Sequence, residues 1–227
     1  MAIGCRIRKN IVRTDKALVE RFRPLPVANV DDTIGRIEAM NHRIRPVNRF
    51  AKLVGPAVTV KVPEGDNLML HKAMDLAQPG DVLVIDAGAD PCRAVFGEII
   101  VQYCRKRGLA GIVVDGALRD LDAIGAMTDF PVYAIGACPN GPWKNGPGEI
   151  NFPVTCGGII VRPGDIIVGD ADGVIAVRPE DAEALAAATE AVNAKEETWM
   201  AKIRDEGVFT RPWVDEKLAA LSVEYVD

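Results

Sequence analysis

The chain has 227 residues, 48% of them hydrophobic and 26% charged, with a formal net charge of −5. That length fits one domain or a tightly fused pair, the composition excludes a disordered chain, and the negative balance gives no electrostatic grip on nucleic acid or an anionic membrane. No apolar run approaches the roughly 20 residues of a membrane span, and residues 1–12 lack the continuous apolar stretch of a signal peptide, so a soluble cytoplasmic protein is expected.

In chain order, a first helix is expected over residues 14–22, with Thr14 as its N-cap and Pro24 and Pro26 ending it. A second, with acidic residues in its first turn, fits 31–40. Val58, Val60 and Val62 alternate with Thr59 and Lys61, the period of a half-exposed strand. Pro63-Glu64-Gly65-Asp66 then turns the chain into a helix over 67–76, and Gln78-Pro79-Gly80-Asp81 leads into an apolar strand over 82–86. Residues 88–92 read as a loop, and 95–107 as a helix closed by basic residues and Gly108 at C′. A strand over 109–114 is expected to break at Asp115-Gly116. A short helix over 119–127 and a strand over 131–137 follow.

Residues 139–148, rich in proline and glycine, form a rigid loop, and further strands fit 159–161, 166–170 and 174–177. Pro179 at N1, with Glu180, Asp181 and Glu183 behind it, opens a helix that can run to Glu206. Its seam of Ala182, Leu185, Thr189, Val192, Trp199 and Ile203 would stretch about 40 Å at 1.5 Å per residue, longer than one domain covers. Such a helix either bends or packs on another subunit, and packing on another subunit is the favoured expectation.

The residue inventory narrows the chemistry. Cys5, Cys92, Cys104, Cys138 and Cys156 are widely spaced, as reduced and mostly buried thiols would be. With only His42 and His71, a histidine-built zinc site is not available, and phosphate-binding glycine loops and the nucleophile elbow are absent. Catalysis then falls to carboxylates, arginines, backbone amides and a hard metal ion. Gly97 opens a helix whose free amides can hold a carboxylate or phosphate. Arg119 and Asp120 leave a buried strand side by side, placed to clamp an anion and ligate a metal. By spacing alone the plainer reading leads: Asp120 caps the next helix and Arg119 is a surface cation.

Glu98-x₂₀-Arg119-Asp120, within Gly97-Glu98-Ile99-Ile100 and Asp115-Gly116-Ala117-Leu118-Arg119-Asp120, resembles the RraA-like family. The similarity is greatest to its class II pyruvate aldolases, which cleave 4-hydroxy-4-methyl-2-oxoglutarate and 4-carboxy-4-hydroxy-2-oxoadipate. Gly65-Asp66-Asn67-Leu68-Met69, the loop from Gly141 to Glu149 and Arg162-Pro163-Gly164-Asp165 extend it over about residues 27–177.

The resemblance implies an α/β fold of layered β/β/α, swivelling-domain-like, RraA-type architecture. Residues 1–178 would be the catalytic domain and 179–227 a C-terminal helical extension packing on a neighbouring subunit. It implies that the backbone of Gly97, Glu98, Ile99 and Ile100 holds the pyruvate carboxylate and that Arg119 contacts the keto-acid end. Asp120 would be the principal protein ligand of Mg²⁺ or Mn²⁺, and Glu98 would orient water held by the ion. Asn67 is expected at the substrate, with His71 one turn on either lining the pocket or packing at the surface.

Homotrimers or homohexamers with sites between subunits, a small 2-oxo acid as partner and some oxaloacetate decarboxylation are also implied. The alternative in the same family is a non-catalytic protein inhibitor of ribonuclease E; that branch lacks the aspartate after the motif arginine, so Asp120 favours an enzyme. The older methyltransferase label for such sequences finds no glycine-rich nucleotide loop here. Lys61 is expected to face solvent, Trp143 and Lys144 to pack within their loop, and Glu196 and Glu197 to lie on a solvated helix face.

Overall fold

A computed structural model describes residues 3–48 and 52–226. Its elements are β1 (Cys5–Ile7), α1 (Lys16–Arg21), α2 (Val27–Thr33), β2 (Arg45–Pro46), β3 (Leu53–Lys61), α3 (Leu68–Leu76), β4 (Val82–Phe96), α4 (Glu98–Lys106), β5 (Gly111–Leu118), α5 (Leu121–Gly125), β6 (Val132–Ala134) and β7 (Gly136–Ala137). They continue with β8 (Gly148–Ile150), β9 (Val154–Cys156), β10 (Ile159–Val161), β11 (Ile166–Gly169), β12 (Val174–Val177), α6 (Ala182–Glu206) and α7 (Pro212–Ala220). Residues up to Thr189 form one compact unit and those from Glu190 a second.

The first unit is organised around β3, which belongs to two pairings. Its first half, Leu53 to Pro56, runs antiparallel to β11, and its second half, Ala57 to Lys61, runs parallel to β4. The main sheet continues in parallel through β5 to β6, with β8 and β1 beyond the other edge of β3. Strands buried on both faces are apolar throughout rather than alternating. Val58, Val60, Leu83, Ile85, Ile112 and Val114 pack with Leu70 and Met74 of α3 and Val101 and Cys104 of α4. On the opposite face, Leu53, Ala57, Val84 and Val113 meet Val154, Val161, Ile167 and Ala176 from β9 to β12. This is the layered β/β/α arrangement expected. Helices α1, α2 and the start of α6 cover the outer side through Phe22, Val30, Ala182 and Leu185 against Ile166, Val168 and Ile175.

Several sequence expectations are corrected. The strand at 58–62 is not half-exposed: β3 is buried from Leu53 to Val60, and Thr59 Oγ1 donates to Phe152 O at 2.6 Å. The helix expected over 31–40 is α2, which starts earlier because the Val27 N–H is held by Asp170 Oδ2 at 2.9 Å, 143 residues away. Residues 88–92 are not a free loop but an irregular stretch of β4, in which Asp86 and Asp90 accept from Gly88 and Cys92 N–H and shift the register against β5. Asp115-Gly116 does not break β5. A Cβ at Gly116 would stand 2.8 Å from the Ala87 Cβ, so glycine lets the strand continue past its neighbour. Only Cys104 and Cys156 are buried thiols; Cys5 and Cys92 are exposed and Cys138 partly so. Burial pushes the Cys104 thiol up to about 12.

In the second unit, the rings of Trp199 and Phe209 meet edge-on, 5.7 Å between centroids, with Lys195 over Trp199 and Arg211 over Phe209. The seam of α6 is buried at Ala182, Leu185 and Thr189, whereas Val192, Trp199 and Ile203 are exposed.

Gly55, in the half of β3 that pairs with β11, has Gly80 O where a Cβ would stand, with Ala110 Cβ and Val82 Cγ2 at 3.2 Å. Gly55→Ala is expected to lower stability by about 1–3 kcal/mol through overpacking, measured as a fall in the urea midpoint at unchanged slope.

Candidate active site

Two neighbouring strand ends deliver the site. Phe96 of β4 stands beside Leu118 of β5, and the Arg119 N–H donates to Phe96 O at 2.9 Å, so Gly97 and Arg119-Asp120 emerge together. Asp120 then adopts a left-handed conformation (φ 60°, ψ 42°), which aspartate tolerates better than most residues. Although it precedes α5, its side chain makes no cap bond there. Instead, Oδ2 accepts from the Glu98 N–H at 2.9 Å, at the N-terminus of α4. Asp120 thus holds the N-cap position of α5, with its C=O accepting from Ile124 N–H at 3.1 Å, but its carboxylate serves α4 and not α5.

Gly97 makes this approach possible. A Cβ on Gly97 would overlap Asp120 Oδ2 and lie 2.8 Å from Arg119 Cγ. Arg119 Nε is 3.7 Å from the same Asp120 oxygen, and both side chains are partly exposed. Among the described residues Asp120 Oδ1 has no protein partner. The first intrahelical bond of α4 runs from Val101 N–H to Gly97 O at 3.3 Å, which leaves the amides of Ile99 and Ile100 without an intrahelical acceptor.

A cavity of about 290 Å³ gathers Asn67, Gly97, Ile99, Ile100, Arg119 and Asp120, together with His71 and Lys144. Asn67 is 2% exposed; its Nδ2 donates to Val95 O at 2.9 Å, while Oδ1 is buried without a partner. An orphaned buried acceptor costs about 1–3 kcal/mol, which a bound donor would recover. Glu98 contributes its backbone N–H, but its carboxylate does not line the cavity: it extends along α4, 3.5 Å from Gln102 Nε2.

Lys144, read from sequence as loop packing, is on the cavity wall, and the exposed Trp143 carries Arg93 at 4.7 Å from its ring centroid. The signal that could have found Lys144 is its loop's proximity to Gly65-Asp66-Asn67, which only the folded chain reveals. Lys61 faces solvent and pairs with Asp86 at 3.5 Å. A larger cavity of about 370 Å³ is lined by Arg13, Arg23, Glu20 and Asp81, but these charges are paired with each other.

No group of three histidine, cysteine or acidic side chains converges among the described residues, so a closed zinc-type cage is not present there. A hard, oxygen-seeking ion that retains much of its water needs only one or two carboxylates. The outward oxygen of Asp120, held in place through its twin, fits that requirement.

Residues 27–176 match the model of the RraA-like family, described as Aldolase/RraA. A protein of Halalkalibacterium halodurans named "Putative 4-hydroxy-4-methyl-2-oxoglutarate aldolase" is 44% identical over 159 residues, 70% of this chain and 75% of the relative. Among solved structures, an uncharacterized protein from Pseudomonas syringae pv. tomato superposes with a TM-score of 0.76 at 22% identity, covering 86% of this chain and 96% of that one. Streptomyces coelicolor RraAS2, titled an unusual member of the RNase ES inhibitor RraA protein family, does so with a TM-score of 0.72 at 26% identity, covering 85% and 100%.

The geometry separates two substitutions at one position. Asp120→Asn keeps an acceptor for the Glu98 N–H and tolerates the left-handed backbone, so stability should change by less than about 0.5 kcal/mol. Asp120→Ala loses both and should cost about 1–3 kcal/mol in chemical denaturation.

Proposed function

The chain belongs to the RraA-like family, and from that premise we propose that it is a divalent-metal-dependent (class II) aldolase. It cleaves 4-hydroxy-4-substituted 2-oxo acids, such as 4-hydroxy-4-methyl-2-oxoglutarate and 4-carboxy-4-hydroxy-2-oxoadipate, to pyruvate and a second keto acid. The observation that carries this reading is the Asp120 carboxylate, pinned by Glu98 N–H beside Arg119 over the open end of α4. The aldolase name of the 44% identical relative supports the reaction class.

Cleavage removes the proton of the C4 hydroxyl and breaks the C3–C4 bond, and the electron pair runs to the C2 oxygen as pyruvate enolate. Reprotonation at C3 gives pyruvate. The catalyst must therefore favour negative charge at one oxygen. Amides of Ile99 and Ile100, at the positive end of α4, bind the C1 carboxylate and fix the 2-oxo acid. The Arg119 guanidinium then lies where the C2 oxygen gathers charge, a preorganised donor of the kind that dominates such catalysis. Asn67 Oδ1 accepts from a substrate hydroxyl or water, and the Glu98 N–H holds the Asp120 carboxylate in place. Asp120, with Mg²⁺ or Mn²⁺ as the cofactor, is the protein ligand; when bound, the ion supplies positive charge for the same C2 oxygen. Oxaloacetate would lose CO₂ through the same enolate.

A homotrimer or homohexamer is part of the proposal. The apolar residues Trp199, Met200, Val208, Phe209 and Trp213 are exposed in a second unit of 38 residues, below the size at which a chain usually builds a core alone. A cytoplasmic location goes with it; no described helix is long and apolar enough to cross a membrane. A second reading, a non-catalytic inhibitor of ribonuclease E, has the likeness to the Streptomyces protein in its favour. It gives no role to the unpartnered Oδ1 of Asp120 or to the orphaned Asn67 oxygen.

Coupling pyruvate release to lactate dehydrogenase with Mg²⁺ should detect turnover of at least one of these substrates or of oxaloacetate. No turnover by folded protein would leave the inhibitor reading in front. Arg119→Lys should lose at least about a hundredfold in kcat/KM, roughly 2.7 kcal/mol, because an ammonium cannot span a carboxylate and an oxyanion as a planar guanidinium does. Sedimentation should give three or six times the 24.4 kDa chain mass; an active monomer would remove the assembly from the account.

A further inference from the structure

Asp66 is a buried carboxylate, 3% exposed, next to Asn67 in sequence yet absent from the cavity lining. Its Oδ1 accepts from Leu68 N–H at 2.9 Å, at the start of α3. Its Oδ2 accepts from two amides of the proline/glycine loop, Asn145 N–H at 2.6 Å and Gly146 N–H at 3.1 Å. Main-chain bonds tie the same two segments together: Trp143 N–H donates to Gly65 O at 2.8 Å, and Asn67 N–H to Trp143 O at 3.0 Å. Arg93 holds the loop's other end through Gly141 O at 2.8 Å. Lys144 lies between these fixed points, on the wall of the cavity that also contains Arg119 and His71. The cavity thus has a second cationic side chain, Lys144, beyond the Arg119 needed for a C2 oxygen, against the single carboxylate of Asp120.

We propose that Asp66 is a positioning residue: it clamps the 141–146 loop so that Lys144 selects substrates with a second carboxylate, distal to the 2-oxo acid group. This rests on the aldolase reading for its substrate class. A charged carboxylate satisfied by three backbone N–H groups is a stiff joint, since hydrogen bonds to charged groups are about twice as strong as neutral ones. Loss of the clamp frees the Lys144 ammonium, a point charge on a flexible stem, to leave the wall. Recognition of the 2-oxo acid end, which depends on α4 and Arg119, is left in place.

The test uses the full-length protein in Mg²⁺ and titration calorimetry with two probes. Pyruvate has one carboxylate; 2-oxoglutarate has two but lacks the 4-hydroxyl, so it cannot be cleaved by a retro-aldol step. Wild type should bind 2-oxoglutarate about tenfold more tightly than pyruvate, one charge-assisted hydrogen bond's worth of affinity. Lys144→Met and Asp66→Ser should each reduce that preference to less than about threefold and leave pyruvate binding unchanged. In the double variant Asp66→Ser should add nothing further, the non-additivity expected of residues acting through one contact.

Should Asp66→Ser fail to fold, Asp66→Asn replaces it, with one acceptor oxygen for the loop and an intermediate preference. Equal binding of both probes by wild type overturns the proposal, as does a preference that survives Lys144→Met or an Asp66 effect undiminished in the Lys144→Met background. Failure of the aldolase reading is a separate result: wild type then releases no pyruvate from any substrate, while the two-probe comparison still decides the clamp.

Discussion

The contact between Asp120 Oδ2 and the Glu98 N–H joins the ends of two adjacent parallel strands, and the candidate site is arranged about it. It requires the left-handed turn at Asp120, which swings the carboxylate back over α4 instead of forward onto α5. It requires Gly97, because any side chain there would fill the space the carboxylate occupies. By occupying one oxygen and one amide, the contact leaves the other oxygen and the next two amides of α4 for a ligand. The positive end of the helix and the carboxylate would otherwise neutralise each other in a closed cap; offset as they are, one side can accept an anion and the other a cation.

The rest of the fold keeps these strand ends still. β3, β5 and the first part of β4, Val82 to Ala87, are buried on both faces, and the shared strand β3 fastens the main sheet to the β11–β12 pair. The irregular half of β4, from Asp86 to Phe96, shifts register against β5, its turns tied by Asp86 and Asp90 accepting from the N–H groups two residues on, and Phe96 O accepting from Arg119 N–H still brings Gly97 beside Arg119. Asn67, at the start of α3, is fixed by Val95 O of this same strand.

What could be read from the sequence was local. Strands β10 and β12 fall at 159–161 and 174–177 as expected because short apolar runs there are bounded by glycine, proline and charge. Gly108 ends α4 with a positive φ of 77°, as a C′ glycine should. What escaped depends on partners remote in sequence. The start of α2 is set by Asp170, the continuation of β5 through Gly116 by Ala87, and the edge strand β1 by its pairing with β8. In the site, motif spacing drew attention to Arg119 and Asp120, which the fold brings into one cavity with Asn67. That the Asp120 carboxylate bonds α4 rather than α5, that Glu98 points along its helix and that Lys144 reaches the cavity could not be deduced from a one-dimensional pattern.

The central claim is that Asp120 and its surroundings stabilise the enolate of pyruvate. Its most direct test is the exchange of pyruvate's methyl protons for deuterium in D₂O, followed by proton NMR with and without Mg²⁺ for wild type and Asp120→Asn. The account predicts Mg²⁺-dependent exchange in the wild type and its loss in a variant that melts at the same temperature. Equal exchange in the two proteins, or none above the protein-free rate in the wild type, would contradict it.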